Sequence, residues 1–360
     1  MDFPQNMSME EAFAQAEAEA RLNAALQESK LRFENARIPD KLNEDWRFGR
    51  PHKYAIALAD ELRNHPDGII KELEHDEDLR QTEMLMPTIG SDALLALHLE
   101  RFGAGEAHYI EEHTTTPLQI AYSTAGLLTP STFIMVAPGV KAEVEIELNS
   151  QSRALIFATC NIQVAEDAEL KIRVRAKGAG ADARCMLITN IQNMGGKVAH
   201  LTSYQGLSWA REETVAEIYA PGSETKLFSA NSLRENEVLD QHTRQIHHVG
   251  GAASDLLYKN VMAGHATATF AGNIYVAPGA HNTDAYQSNR NLMLSEEATV
   301  NSLPGLEILA DKVRCSHGSA SGPMDDEQLF YLLSRGIPAT EAHQLIAQGF
   351  LDEAIEKFNS

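Results

Sequence analysis

A four-residue pattern, an apolar residue followed by alanine and a turn pair, recurs through the middle of this chain. It reads Val136-Ala137-Pro138-Gly139, Val164-Ala165-Glu166-Asp167, Tyr219-Ala220-Pro221-Gly222 and Val276-Ala277-Pro278-Gly279. The gaps between successive starts are close to one, two and two times a unit of roughly 28 residues, as they would be if each unit were one coil of a solenoid. Between the turns the residues alternate or are β-branched, as in Ala142-Glu143-Val144-Glu145-Ile146-Glu147-Leu148, Leu170-Lys171-Ile172-Arg173-Val174 and Ala266-Thr267-Ala268-Thr269-Phe270. A β-sandwich also uses many short alternating strands. It has no need for a turn at near-integral spacing, so the repeat predicts a mainly β chain built as a right-handed parallel β-helix.

Helical patterns flank the repeat. Ser8-Met9-Glu10-Glu11 has the form of a capping box, and the Ala- and Glu-rich run behind it predicts a helix to about Asn35, ended by Pro39. A second helical or irregular stretch, containing Asn43-Glu44-Asp45-Trp46-Arg47, runs to about Leu85, and strand-like alternation begins near Leu94. After Gly322 the period is helical again. Asp325-Asp326-Glu327 cap a helix carrying Leu329, Phe330, Leu332 and Leu333 that Gly336 closes. Thr340 then caps a second helix with Leu345, Ile346, Phe350, Leu351, Ile355 and Phe358 on one stripe. The expected organisation is a helical region over 1–90, the β-helix over 91–318 and a helical region over 319–360. The last pair of helices either caps an open solenoid end or docks a partner.

Composition excludes several classes of function. The net charge of −21 opposes nonspecific binding to nucleic acid or to an anionic membrane, since either needs clustered Lys and Arg. No run of about 18 apolar residues exists to span a bilayer, and the acidic, Ala-rich start resembles neither a secretory signal nor a transit peptide. A cytoplasmic protein is the expectation. Cys160, Cys185 and Cys315 are the only cysteines, too few and too scattered for a disulfide framework or a CxxC metal site. The chain has no GxxxxGK[ST] phosphate loop, no GxSxG elbow and no HExxH. It is therefore not expected to hydrolyse ATP itself, and an ATP-driven role would need a partner that supplies the nucleotide site.

Two groups of residues offer chemistry. Cys315 and His317 are two apart, so on a strand both leave the same face and can approach one metal ion or one sulfur atom. Thiolate and imidazole are ligands that iron accepts, yet two ligands cannot complete a cluster, so a site here is shared or transient. The plainer alternative is a packed cysteine and a histidine at a strand end. The second group is His242, His248, His281 and Asp284, the ligand set expected if the chain were a metal-dependent or carbohydrate-active β-helix enzyme. Its plainer alternative is a set of strand histidines that are solvated or hydrogen-bonded. On a regular strand His247 points away from His242 and His248. Cys160 and Cys185 read as core packing.

From about Val238 to Phe358 the motifs follow one another in a familiar order. They are Asp240-Gln241-His242-Thr243, Tyr258-Lys259-Asn260-Val261, Phe270-Ala271-Gly272-Asn273-Ile274-Tyr275-Val276, Gln287-Ser288-Asn289-Arg290-Asn291-Leu292-Met293-Leu294-Ser295, the Leu306 to Val313 segment, Cys315-Ser316-His317-Gly318, and Leu329-Phe330-Tyr331-Leu332-Leu333-Ser334-Arg335-Gly336-Ile337. This order resembles the SufB/SufD family, the scaffolds of the SUF iron–sulfur cluster assembly machine, and within it the SufD branch. SufB-like sequences carry a cysteine where the matching position here is Asn289, and a carboxamide cannot carry a persulfide.

The resemblance implies a right-handed parallel β-helix with helical ends and a non-catalytic scaffold role. It implies pairing with a SufB-like paralogue through the β-helices and docking of a SufC-like ABC ATPase on the C-terminal helices, with Leu329, Phe330, Leu333, Leu345 and Phe350 as anchors. On this resemblance His317 belongs at the shared interface as a transient ligand for iron or a nascent cluster, with Cys315 beside it. No cofactor is bound permanently, and ATP enters only through the SufC partner. A surface built to meet a paralogue can also meet a second copy of the chain, making a homodimer of the isolated protein an expectation.

Overall fold

The computed structural model describes residues 9–40, 43–47, 54–64, 86–100, 104–180 and 182–360. Ser8, the expected N-terminal cap, and residues 65–85 of the second helical stretch lie outside the described residues. The described strands form two all-parallel sheets. The first holds, in spatial order, β1 (Ala104–Ile110), β4 (Pro130–Val136), β6 (Leu155–Val164), β8 (Arg184–Asn193), β10 (Trp209–Ile218), β12 (Val238–His247), β14 (Thr267–Val276) and β16 (Thr299–Ile308), with the short β3 (Leu127–Leu128) paired to β6. The second runs β2 (Leu118–Thr124), β5 (Lys141–Gln151), β7 (Glu169–Ala179), β9 (Lys197–Gln205), β11 (Glu224–Leu233), β13 (Ala253–Met262), β15 (Asp284–Met293) and β17 (Arg314–Pro323).

Apart from β3 and β4, which both pair with β6, successive strands alternate between the sheets, so the chain winds as a parallel β-solenoid. Lys141 sits in register with Glu169 and Trp209 with Val238, in each case one coil further along the chain. The repeated turn is the corner between the sheets. Its alanine carries the ladder past the strand end: Ala137 N donates to Ile110 O, Ala165 N to Val136 O and Ala277 N to His247 O. The corner then needs a left-handed residue, and Gly139 (φ 71°) and Gly222 (φ 79°) take that conformation without a Cβ clash, while Asp167 (φ 58°) is one of the few side chains that tolerates it.

The space between the sheets changes character along the axis. In the early coils it is apolar, with Val144, Ile146, Leu148, Ile156, Ile162, Ile172 and Val174 in one cluster with Cys160 and Cys185. From β9 onward polar side chains occupy many of the inward positions. Glu212 accepts from Tyr258 Oη (2.7 Å), Gln241 Nε2 (2.7 Å), Thr214 Oγ1 (3.0 Å) and Thr202 Oγ1 (3.1 Å). An asparagine ladder climbs the other sheet from Asn231 to Asn260 (2.8 Å), Asn291 (2.9 Å) and Ser321 (3.1 Å).

Helices cover the outer faces. At the N-terminal side are α1 (Met9–Asn35), a 3₁₀ turn at Glu44–Trp46, α2 (Ala55–Asn64) and α3 (Asp92–Glu100). Trp46, Tyr54, Leu58, Leu62, Leu94 and Leu95 pack with Phe157, Ile188 and Trp209 of the first sheet. Tyr54 stacks on Trp209 with ring centroids 5.0 Å apart. The segment near Leu94, read as the first strand, is thus helical, and strands begin at Ala104. Its run of leucine and alanine satisfies either period, and Ser91 decides the matter, its carbonyl accepting the first helical bonds from Leu94 N and Leu95 N.

At the other end are α4 (Asp326–Ser334) and α5 (Ala339–Asn359). Asp325 caps α4 through Glu327 N as expected, but Pro338, not Thr340, begins α5 and makes no side-chain cap. β17 also runs on past Gly318, because Ser319 to Pro323 continue the ladder opposite Asn289 to Met293.

Candidate functional site

The solenoid stops at β16 and β17. Among the described residues each pairs on one side only, with β14 and β15, and so each presents a free strand edge. Inward positions that are buried one coil earlier are exposed here. Val276 and Ile274 are fully buried, whereas their register partners Ile308 and Leu306 are each 37% exposed. Cys315 and His317 lie on this last coil, in register with Ala285 and Gln287. The structure brings both to one face, as their spacing required.

Their surroundings differ. Cys315 is half-buried against Ile274, Val276, Ala280 and Ala285. Burial pushes its thiol above the usual range, Asp284 adds to that, and a backbone contact at Ala285 only partly opposes it. His317 is exposed. Nearby, Ser319 Oγ donates across the coil to Ser302 Oγ at 2.8 Å. The face therefore offers a free imidazole, a shielded thiol and hydroxyls around an open end of the interior.

The second expected group does not assemble. His242 is buried with Nε2 2.9 Å from Asp240 Oδ1. His248 lies beyond its strand, 3.2 Å from Glu217 and stacked on Tyr219. His281 Nδ1 contacts the Asp311 backbone, and Asp284 pairs with Arg314 at 2.6 Å. Among the described residues no group of three or more His, Cys, Asp or Glu side chains is placed to hold a metal ion.

His242 belongs instead to a buried charge cluster that the sequence reading missed. Arg211 donates to Glu213 Oε1 and to Asp240 Oδ2, each at 2.6 Å, and to Ile89 O at 2.9 Å, with its guanidinium 4.0 Å above the Trp46 ring. Glu213 in turn accepts from Ile89 N and Ser91 Oγ. Burial alone would raise the Asp240 carboxyl, but His242 and Arg211 outweigh it and hold it below the usual range. The cluster fastens the N-terminal helical segment to the first sheet. Its only signal in the sequence is the Arg211-Glu212-Glu213 run inside an otherwise β-like segment.

Residues 119–350 match the family model described as the SufBD core domain of SUF-system FeS cluster assembly. The chain belongs to the SufBD family. It is 39% identical over 146 residues to the iron–sulfur cluster assembly protein SufD of Escherichia coli (strain K12), covering 41% of this chain and 34% of that protein. It is 33% identical over 166 residues to an iron–sulfur cluster assembly SufBD family protein of Mycobacterium leprae (strain TN), covering 44% and 42%. Against SufD of Bacillus subtilis (strain 168) it is 38% identical over 122 residues, covering 34% and 28%. The matched stretches span between about a quarter and two fifths of those relatives.

Within this SufBD-family fold the five expected docking residues separate into two sets. Phe330 (72% exposed), Leu333 (41%) and Leu345 (49%) are uncovered, with Tyr331 (57%) beside them, and Leu329 is half-buried. Phe350 is half-buried against the chain's own Val261, Leu292 and Leu351, and Lys259 Nζ lies 4.1 Å above its ring. The inward side of α5 is fixed by Ala354 and Phe358 against Leu201, Phe228 and Leu257, and by Glu353, which binds Lys259, Arg290 and Lys357. Lys259 falls in the Tyr258-Lys259-Asn260-Val261 motif and Glu353 in none of those quoted, and no spacing in the sequence pairs the two.

Asn289 is buried on the inward face of β15, and its Oδ1 accepts from Asn291 Nδ2 at 2.8 Å. Cys160 and Cys185 are fully buried, and burial pushes both thiols up to about 12. They are packing residues. No described helix is long and apolar enough to cross a membrane.

Proposed function

We propose that the chain is a non-catalytic scaffold subunit of the SUF assembly system that joins a SufB-like paralogue through its open β-helix end. The observation that carries this reading is the last coil, where two free strand edges and uncovered Leu306 and Ile308 surround an exposed His317. Unpaired backbone groups and apolar side chains on one face are the features that strand addition by a partner satisfies. On covering that face, the partner brings its own ligands to His317, whose imidazole then binds iron or sulfur of a nascent cluster. Iron and sulfide are cargo, shared with the partner and passed on. Cys315 is the weaker ligand, because its thiol is held protonated by burial.

The uncovered Phe330, Leu333 and Leu345 form the docking surface for a SufC-like ABC ATPase. Leu329 and Phe350 serve by holding that surface in place. ATP acts through this partner alone. The protein works in the cytoplasm, and without its paralogue the same open end pairs with a second copy of the chain.

Replacing His317 with Ala tests the site. Thermal stability and co-purification with the two partners are expected to stay as in the wild type, while reconstituted cluster formation on the complex falls at least tenfold. Cluster formation at the wild-type rate would remove His317 from the site. Loss of co-purification would show that it serves the interface instead.

A further inference from the structure

The solenoid has a second end, and it is built differently. Among the described residues β1 and β2 pair on one side only, with β4 and β5, so the first coil also offers unpaired backbone groups. Its interior, unlike that of the last coil, is closed. Ile120, on the inward side of β2, is only 2% exposed, and Ile134 and Val136 of β4 are fully buried, whereas Leu306 and Ile308 on the last coil are uncovered.

Polar side chains from three strands make the closure. Glu106 and His108 stand on the inward side of β1, in register with Thr132 and Ile134, and His108 Nε2 lies 3.1 Å from Glu106 Oε2. Tyr122 reaches across from β2 in the other sheet, its hydroxyl 3.1 Å from Thr132 Oγ1. Burial pushes the Tyr122 phenol above its usual range, the Thr132 contact opposes this, and the Glu106 carboxylate adds to the rise. That carboxylate is thus within electrostatic reach of a side chain from the opposite sheet.

Parallel coils with free edges can stack, the last coil of one copy on the first coil of the next. His108 and Leu306 occupy the two ends of one column of the first sheet's ladder, and Glu106 and Pro304 the two ends of another. Extended by one rung, the ladder would set Leu306 on His108 of a second copy and Pro304 on its Glu106. Such a contact strips a carboxylate and an imidazole of water and gives them only aliphatic neighbours. It is also head-to-tail, so every copy added would leave an identical free end and growth would not close.

We infer that the Glu106–His108 pair, set over Tyr122 and Thr132, is a stop that keeps a second copy of the chain from stacking on the first coil and confines addition to the last. Charged side chains turned inward on an edge strand guard against stacking of this kind. The stop presupposes the adhesive last coil proposed above, and it acts at the opposite end of the molecule.

The test replaces both residues in the full chain, Glu106→Val with His108→Val, and follows mass in solution by sedimentation over a range of concentrations. Wild type is expected to stay at or below a dimer. The double variant is expected to exceed a dimer, to climb in mass with concentration and to come apart on dilution. Adding Leu306→Lys should return it to the wild-type distribution, because growth needs the apolar rim of the last coil. Misfolded aggregate would neither dissociate on dilution nor respond to that third change. A double variant with the wild-type size distribution would overturn the stop, and so would growth that persists with Leu306→Lys or a wild-type chain that itself grows beyond a dimer. Leu306→Lys alone, scored for co-purification with the SufB-like partner, judges the pairing separately: unchanged co-purification would count against the pairing and leave the size measurement to decide the stop.

Discussion

Three cysteines in one chain illustrate how far a residue's chemistry is set by its place. Cys160 and Cys185 point into the apolar half of the solenoid, where burial suppresses the thiolate. Cys315 is half-buried on the last coil. Brief alkylation of the native protein followed by peptide mass spectrometry is therefore expected to label Cys315 alone, with the other two reacting only after denaturation.

The histidines divide in the same way. Burial lowers His200 to about 4, and burial followed by the neighbouring His248 lowers His247 to about 4. Each is neutral in the fold but takes up a proton near 6.5 when unfolded, so its contribution is complete above about pH 6.5 and is lost as the pH falls towards 4. For the wholly buried His200 a shift of that size corresponds to roughly 3 kcal/mol. Glu212, raised by burial, works in the opposite direction. The difference between wild type and His200→Leu isolates the histidine: the variant's melting temperature relative to wild type should rise steadily from pH 7 to pH 4.5. None of this was legible in the sequence, where His200 and His317 look alike and only the coil in which each falls separates them.

At the scale of elements, the C-terminal helices combine an exposed half with a fastened half. α5 is held by aromatic packing at Phe358 and by the ion cluster at Glu353. Hydrogen bonding to Lys259 keeps the Glu353 carboxyl below its usual range, whereas burial lowers the Lys259 ammonium more than Glu353 restores it. The carboxyl governs the acid side, so the fastening persists above the ordinary glutamate range and weakens as the pH falls below it. Glu353→Gln removes the charge at neutral pH and leaves Lys259, only 2% exposed at its side chain, without a counter-ion. Amide hydrogen exchange across residues 339–359 should then accelerate about tenfold or more while the strands keep their protection. An unchanged rate would mean that Phe358 and Ala354 suffice. The sequence placed both helices and the Asp325 cap, because caps and periodicity are local. It held no hint of which apolar residues α5 would keep for itself, since that depends on a sheet whose strands are remote along the chain.

For the whole molecule, the period of the turn was the most legible signal, because every coil meets the same corner problem and solves it with the same few residue types. The first coil was less legible: the segment around Leu94 fits helix or strand equally until Ser91 starts the helix. The Ser319 to Pro323 stretch likewise looks like a linker, since serine and glycine carry no strand pattern, yet the backbone ladder opposite Asn289 to Met293 and the asparagine ladder ending on Ser321 hold it in the sheet. The change from an apolar to a polar interior has a mechanical consequence. In a stack where each coil touches only its neighbours, stability is a sum of nearest-neighbour terms. The early coils are clamped by aliphatic packing and a helical cover, while the last has one neighbour and a hydrogen-bonded floor. Such a stack frays from one end, like a rope whipped only at the other. Any partner that lengthens the stack at the frayed end therefore tightens the coil that carries His317 before it touches the imidazole.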